Sequence, residues 1–285
     1  MNPLFTSPQC IDFITRSLQE DIGSGDHSSL ASIPQGTQGK ARMLIKEDGI
    51  IAGLELAHSI FKQVDENLQV ELLLADGDMV KKGDVGLLVQ GSVHSILKSE
   101  RLVLNCAQRL SGIATTTNKI VKLVDGLHTK ILDTRKTTPQ LRFLEKWAVT
   151  VGGGYNHRIG LYDMIMLKDN HVDYAGGIEA AITRTHAYLK ENNLNLKIEV
   201  ETRNISEVKQ VLQVGGVNRI MLDNFSPTLL REAIVLIDNK FETEASGGIT
   251  LETVREYAET GVDFISVGAL THSVKSLDIS LKEYN

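Results

Sequence analysis

The chain has 285 residues, of which 42% are hydrophobic and 23% charged, with a net charge of −6 at neutral pH. That length holds either one barrel-sized domain or a smaller domain joined to a larger one, and the acidic balance disfavours nucleic-acid or anionic-membrane binding, both of which rest on broad basic surfaces. No apolar run reaches the roughly 18 residues of a membrane helix, the start MNPLFTSPQC lacks a secretory pattern, and the cysteines, Cys10 and Cys106, suit a reducing compartment without a metal cluster, so a cytoplasmic protein is expected.

Residues 8–20 place Ile11, Ile14 and Leu18 at helical spacing, ahead of an acidic loop in which Asp21, Asp26 and His27 read as a capped turn because their spacing fits no calcium or zinc pattern. ARMLIKEDGIIAG, LQVELLLADGDMV and VGLLVQGSVHSIL read as strands, with a helix over LELAHSIFKQVDE. DGDMVKKGDVGLLVQG has the turn pattern of a lipoyl or biotinyl carrier, but Lys81-Lys82-Gly83-Asp84 suits a plain turn equally well. Ser99 to Asp125 reads as a helix, interrupted at Ser111-Gly112, with Arg101, Asn105, Gln108 and Arg109 as surface groups.

From Leu127 onward, apolar runs end near Asp133, Lys168, Glu201, Asp223, Ser246 and Gly268, each followed by a helical stretch. Six βα units imply a parallel sheet. A barrel is preferred to a doubly wound sheet because DTRKTTP, after the first of these strands, is basic where a glycine-rich nucleotide turn would be expected; with fewer than eight strands it is incomplete or borrows a strand-like segment.

In such a barrel all strand C-termini open on one face. Arg135, Lys136, His157, Arg158 and Lys168 there supply cationic donors, and Glu201 and Asp223 supply carboxylates able to stabilise positive charge on a sugar ring. The loops Ser246-Gly247-Gly248 and Val267-Gly268-Ala269 precede helices and suit a phosphate monoester. Glu199 lies on the same strand face as Glu201. Arg142 and Lys146, spaced i and i+4, read as a solvated helix face. These groups together suggest an acidic planar co-substrate beside a phosphorylated sugar.

Over nearly its whole length, through EDIGSGD, ERLVLNCAQRLSGIAT, DTRKTTPQLRFLEKWAV, GGGYNHRIGLYDMIMLKDNH, EVE, LDN, ASGGI and ISVGALTHS, the chain resembles the quinolinate phosphoribosyltransferase family. The resemblance implies an N-terminal α/β sandwich domain over 1–110, to which 272–285 returns, and an incomplete parallel α/β barrel over 111–271 carrying the active site. It implies a homodimer or higher homo-oligomer in which one subunit completes its partner's site. The reaction implied is phosphoribosyl transfer from phosphoribosyl pyrophosphate to quinolinate with decarboxylation, Mg2+ accompanying the pyrophosphate. By the same resemblance Arg101 (from the neighbouring subunit), Arg135, His157, Arg158 and Lys168 bind quinolinate; Lys136, Lys168, Glu201 and Asp223 face the phosphoribosyl donor, whose 5′-phosphate takes the Ser246 and Gly268 loops. Gln140 stands where the family has glycine, and one residue is inserted between Glu201 and Asp223, which leaves Glu199 as a competitor for the ribose role. The rivals are a same-fold paralogue linked to molybdate transport, a nicotinate-preferring transferase, a Schiff-base aldolase using Lys168, which Asp169 would keep charged, and a carrier modified at Lys81 or Lys82.

Overall fold

Ser7 accepts the Cys10 amide and Pro8 opens the first helix, α1 (Pro8–Ile22). Its buried residues are Cys10 and Ile14, with Leu18 half-buried; of the expected stripe only Ile11 is turned out to solvent, its place taken by Cys10. Asp26 caps α2 (His27–Ser32) through the Ser29 amide, the capping role anticipated for that loop. The chain continues through β1 (Gln38–Ile45), β2 (Gly49–Ile50), α3 (Leu54–Val64), β3 (Gln69–Leu72), β4 (Met79–Val80), β5 (Val85–Ser92) and α4 (Val93–Leu123). Next come β6 (Lys130–Leu132), α5 (Arg142–Val151), β7 (Ile165–Leu167), α6 (Asp169–Ala175), α7 (Ile178–Glu191), β8 (Ile198–Thr202), α8 (Ile205–Val214) and β9 (Arg219–Asp223). The last elements are α9 (Pro227–Ile237), β10 (Glu242–Ser246), α10 (Val254–Ala258), β11 (Phe264–Ser266), α11 (Ala269–His272) and β12 (Ile279–Glu283).

The computed structural model describes residues 1–284 and divides into two units. The first comprises Met1–Asn118, Pro139–Gly153 and the chain from Val274 onward. Its antiparallel sheet has the order β12-β1-β5-β3, so the end of the described chain pairs with the first strand, Met43 opposite Leu281. Helix α4 begins at Val93, earlier than the strand-like run VGLLVQGSVHSIL suggested, because Ser92 accepts the Ser95 amide and ends the strand as a cap. It also runs unbroken through Ser111-Gly112. The Ser111 hydroxyl bonds both the amide and the carbonyl of Ala52, and a side chain on Gly112 would meet the Lys275 carbonyl at 2.3 Å. Small residues there serve close backbone approach.

The carrier-like segment has a structural task. Asp76 accepts the amides of Gly53, Leu54 and Glu55 and so caps α3, whose own N-terminal residue is a glycine with no side chain to do it. The Lys81 and Lys82 amides bond Asp84 and Asp48, as in an ordinary turn.

Helix α5 departs from the regular βα reading, for it follows β6 in sequence but belongs to the first unit. Lys146 is only 1% exposed and Glu145 fully buried, so the expectation of a solvated Arg142/Lys146 face is corrected: the helix is embedded. Phe5 stacks edge-on against Trp147 at 4.9 Å, and Arg109 pairs with Glu145 at 2.7 Å. An embedded acid requires such a partner, and the surface reading of Arg109 is corrected with it.

The second unit comprises Lys119–Thr138 and Gly154–Ser273. Its sheet has six parallel strands in the order β6-β11-β10-β9-β8-β7, and a bridge from Leu132 to Tyr155 adds a strand-like segment beyond β6. No ladder among the described residues joins that segment to β7, which leaves the barrel incomplete. Ile198 and Val200, Ile220 and Leu222, and Ala245 and Ile265 are buried on the strand face that alternates with the one bearing Glu201, Met221 and Glu244.

Gln140 has φ 68°, in the left-handed region; the other non-glycine residues found there among the described residues are Asn or Asp, which tolerate it better. This is a backbone conformation that glycine adopts without strain. Gln140→Gly should raise stability by roughly 0.5–1 kcal/mol, the left-handed strain removed outweighing the extra freedom of the unfolded chain. Chemical denaturation of the two proteins measures this; an unchanged or lower midpoint would refute the strain argument.

Candidate active site

The C-terminal ends of the parallel strands bring together residues that are far apart in sequence. A cavity of about 400 Å³ there is lined by Arg135, Lys136, His157, Arg158, Lys168, Glu201, Asp223 and Ser246, together with Thr134, Met166, Asp169, Asn170, Met221, Glu244 and Ser266. Each expected residue in that set follows from strand geometry. Arg135 and Lys136 leave β6, His157 and Arg158 follow the Tyr155 bridge, Lys168 ends β7, and Glu201, Asp223 and Ser246 lie at the ends of β8, β9 and β10.

Arg135 and Arg158 are half-buried, and burial together with the charge of Arg135 lowers the pKa of Arg158. Two guanidinium groups this close favour a ligand with two negative charges. Lys136 runs along Gly268, where an added side chain would meet its Cδ at 3.1 Å, and the Lys136 carbonyl accepts the Thr271 hydroxyl at 2.8 Å. The ends of β6 and β11 are thereby joined.

Carboxylates line the same cavity, with Lys168 close enough to act on both. Burial and the neighbouring Asp223 charge raise the pKa of Glu201, with Lys168 opposing; burial likewise raises Asp223, which Ser246 and Asn224 partly offset through hydrogen bonds. Asn224 donates to Asp223 Oδ2, and its amide bonds the Ser246 carbonyl at 2.8 Å, fixing the β9 and β10 ends together. Glu199, on the same face of β8, is fully buried deeper in the unit and is absent from the cavity wall, whereas Glu201 is present on it.

The proposed phosphate loops differ from expectation in detail. Gly247 and Gly248 have φ of 97° and 63°, and Asn224 Oδ1 lies 2.2 Å from where a side chain on Gly247 would begin, so glycine is required there. However, α10 starts only at Val254, after a turn from Thr250, and α11 spans four residues, so neither loop runs straight into a long helix. The Val267 amide is engaged by the Leu132 carbonyl within the sheet. Gly247, Gly248, Val267, Gly268 and Ala269 are not among the residues lining the cavity, whereas Ser246 and Ser266 are.

Arg101 lies on α4 in the first unit, exposed, at a cavity of about 260 Å³ that it shares with Phe13, Glu20, Asp21, Asn105 and Arg109. Arg101 is not among the residues lining the strand-end cavity.

Sequence reading missed a buried polar layer under the cavity. His157 Nε2 lies 3.0 Å from Glu199 Oε2 and 3.3 Å from Glu244 Oε2, and Arg219 Nη1 lies 2.9 Å from Glu244 Oε2. Burial alone would lower the His157 pKa, but the two carboxylates reverse this and bring it up to about 9; burial and the Glu244 charge push Glu199 up to about 7. The His157, Glu199 and Glu244 donor atoms lie within 4.8 Å of one another, as metal ligands do, yet Arg219 already supplies positive charge at Glu244. The signal available in sequence was charged residues inside strand runs: Glu199 in KIEVE, Arg219 in NRIMLD and Glu244 in ETEAS.

Comparison with known proteins agrees with the architecture. Residues 22–111 match the family model described as quinolinate phosphoribosyl transferase, N-terminal domain, and residues 113–282 match the corresponding C-terminal domain. A decarboxylating quinolinate phosphoribosyltransferase (1b) of Nicotiana tabacum is 50% identical over 285 residues, covering 94% of this chain and 81% of that protein. A probable carboxylating nicotinate-nucleotide pyrophosphorylase of Bacillus subtilis is 46% identical over 262 residues, covering 92% and 89%. The crystal structure of NadC from Streptococcus pyogenes superposes with a TM-score of 0.91 at 39% identity, covering 97% of this chain and 98% of that one.

Proposed function

The chain belongs to the quinolinate phosphoribosyltransferase family, and on that premise we propose how its strand-end residues divide the reaction. The enzyme transfers the phosphoribosyl group of phosphoribosyl pyrophosphate to quinolinate with decarboxylation, releasing nicotinate mononucleotide, pyrophosphate and carbon dioxide in NAD biosynthesis. The observation that carries the assignment of roles is a single cavity lined both by two neighbouring guanidinium groups, Arg135 acting on Arg158, and by the neighbouring carboxylates Glu201 and Asp223.

Arg135, Arg158 and Lys168 clamp the two carboxylates of quinolinate, with His157 beneath them and Arg101 contributed by a second copy of the chain in a homodimer. Lys136 and Lys168 face the pyrophosphate, which carries Mg2+ as part of the substrate. The turns at Ser246 and Gly268 take the 5′-phosphate. Attack of the pyridine nitrogen on ribose C1 breaks the bond to pyrophosphate through an oxocarbenium-like state, which Glu201 and Asp223 stabilise electrostatically. Quaternising the nitrogen then stabilises the C2 carbanion left as the 2-carboxylate departs, and a proton replaces it. The charge of Lys168 acts on both Glu201 and Asp223, which favours an ion-pairing role for it over the Schiff-base alternative.

Among the described residues no helix is long and apolar enough to cross a membrane. The reading is tested by supplying phosphoribosyl pyrophosphate and Mg2+ with quinolinate or with nicotinate. Mononucleotide should form from quinolinate, and turnover of nicotinate alone would replace this reading with that of a nicotinate transferase.

A further inference from the structure

The buried layer under the cavity has a geometry that reaches into it. Glu199 and Glu244 are both fully buried, and the strand register sets Glu199 on β8 beside Arg219 on β9. The Arg219 guanidinium in turn lies 3.9 Å from the Phe264 ring centroid. Two buried carboxylates against one guanidinium demand a further proton donor, and His157 Nε2 is the group facing both.

The other ring nitrogen carries this constraint upward. Against burial, the two carboxylates raise the pKa of the ring, but the backbone N–H of Arg158 points at His157 Nδ1 at 2.7 Å and opposes a second proton there, so with that amide in place Nδ1 keeps its lone pair and the ring proton lies on Nε2. The opposite tautomer would turn a lone pair toward two anions and lose the Arg158 amide. The acids thus select the tautomer that holds the loop. Its neighbouring amides are held as well: His157 N–H donates to Asp133 at 2.9 Å, and Ile159 and Gly160 donate to Asp163 at 2.7 and 2.8 Å. Farther out, the Arg158 guanidinium donates to the Met164 carbonyl at 3.2 Å. The backbone course and the guanidinium of Arg158 are both fixed before any ligand arrives, which is how a bidentate clamp avoids an ordering cost on binding.

We propose that Glu199 and Glu244 are positioning residues for Arg158, acting through the tautomer of His157. The catalytic consequence rests on the quinolinate reading above; the tautomer itself does not.

Two measurements on the intact enzyme test this. In 15N-histidine-labelled protein, the His157 signals, identified by their loss in His157→Gln, should show the proton on Nε2 and a bare Nδ1; Glu244→Gln should shift the ring away from that state. In steady-state kinetics Glu244→Gln should raise KM for quinolinate about tenfold, the equivalent of one misaligned charge-assisted hydrogen bond, and leave KM for phosphoribosyl pyrophosphate within about twofold. A lesion of folding alone would lower kcat without moving either KM. A wild-type His157 protonated on Nδ1, or equal changes in both KM values, would overturn the proposal. Should Glu244→Gln fail to fold, the wild-type spectrum and Glu199→Gln decide it. Absence of quinolinate turnover by the wild type would remove the functional reading while the tautomer still stands or falls on its own spectrum.

Discussion

Replacing Arg135 with alanine is expected to raise KM for quinolinate by about two orders of magnitude while that for phosphoribosyl pyrophosphate changes by no more than about threefold. The reason is electrostatic. Arg135 and Arg158 both line the cavity, and the charge of the first already lowers the pKa of the second. A dicarboxylate relieves that repulsion, so its binding draws on both groups. Removing one leaves a carboxylate in a half-buried pocket without its fork-shaped partner, a loss of roughly 2–5 kcal/mol. Arg135→Lys should recover only part of it, because an ammonium restores the charge but not the paired donors. Initial rates with each substrate varied at saturation of the other provide the measurement; equal losses for both substrates would contradict the division of roles.

The second large effect is expected at Glu201. Glu201→Gln should lower kcat by about 10²- to 10³-fold with small changes in either KM, as for loss of a group that acts on charge developing in the transition state. Burial and the charge of Asp223 raise the pKa of Glu201, and burial raises that of Asp223. Both must be ionised to stabilise an oxocarbenium ion, so wild-type kcat should be full above these raised values and fall as the pH drops through them. The acid limb should therefore lie above the ordinary carboxylate range and simplify in Glu201→Gln. A variant that keeps its kcat and loses only substrate affinity would make Glu201 a binding group.

Which parts of this were legible in sequence follows from the range of the signals. The strand ends at Lys168, Glu201, Asp223 and Ser246 could be read because each βα unit repeats a local pattern, and a parallel barrel converts that repetition into one shared face. Lys146 misled because i, i+4 spacing of cations describes a helix face without saying what packs on it; α5 lies embedded in the first unit, and its position depends on contacts such as Phe5 with Trp147 that no local window contains. Ser111-Gly112 was mistaken for a break because small residues mark both helix ends and close backbone approach. The choice between Glu199 and Glu201 could not be made from alternation, which puts both on one face. Depth along the strand separates them: Glu201 lines the cavity, whereas Glu199 lies off its wall, paired with His157, which does line it. The buried polar layer went unread because pairing among Glu199, Arg219 and Glu244 depends on three strands in register. Gln140 was visible as an oddity, and its left-handed backbone supplies the cause.

The most direct measurement uses quinolinate carrying an isotopic label in its 2-carboxylate, with phosphoribosyl pyrophosphate and Mg2+. Labelled carbon dioxide should be released one for one with nicotinate mononucleotide and pyrophosphate, and neither should form when the phosphoribosyl donor is omitted. Folded enzyme that yields no mononucleotide from quinolinate, or that yields mononucleotide with the label retained, would contradict the account.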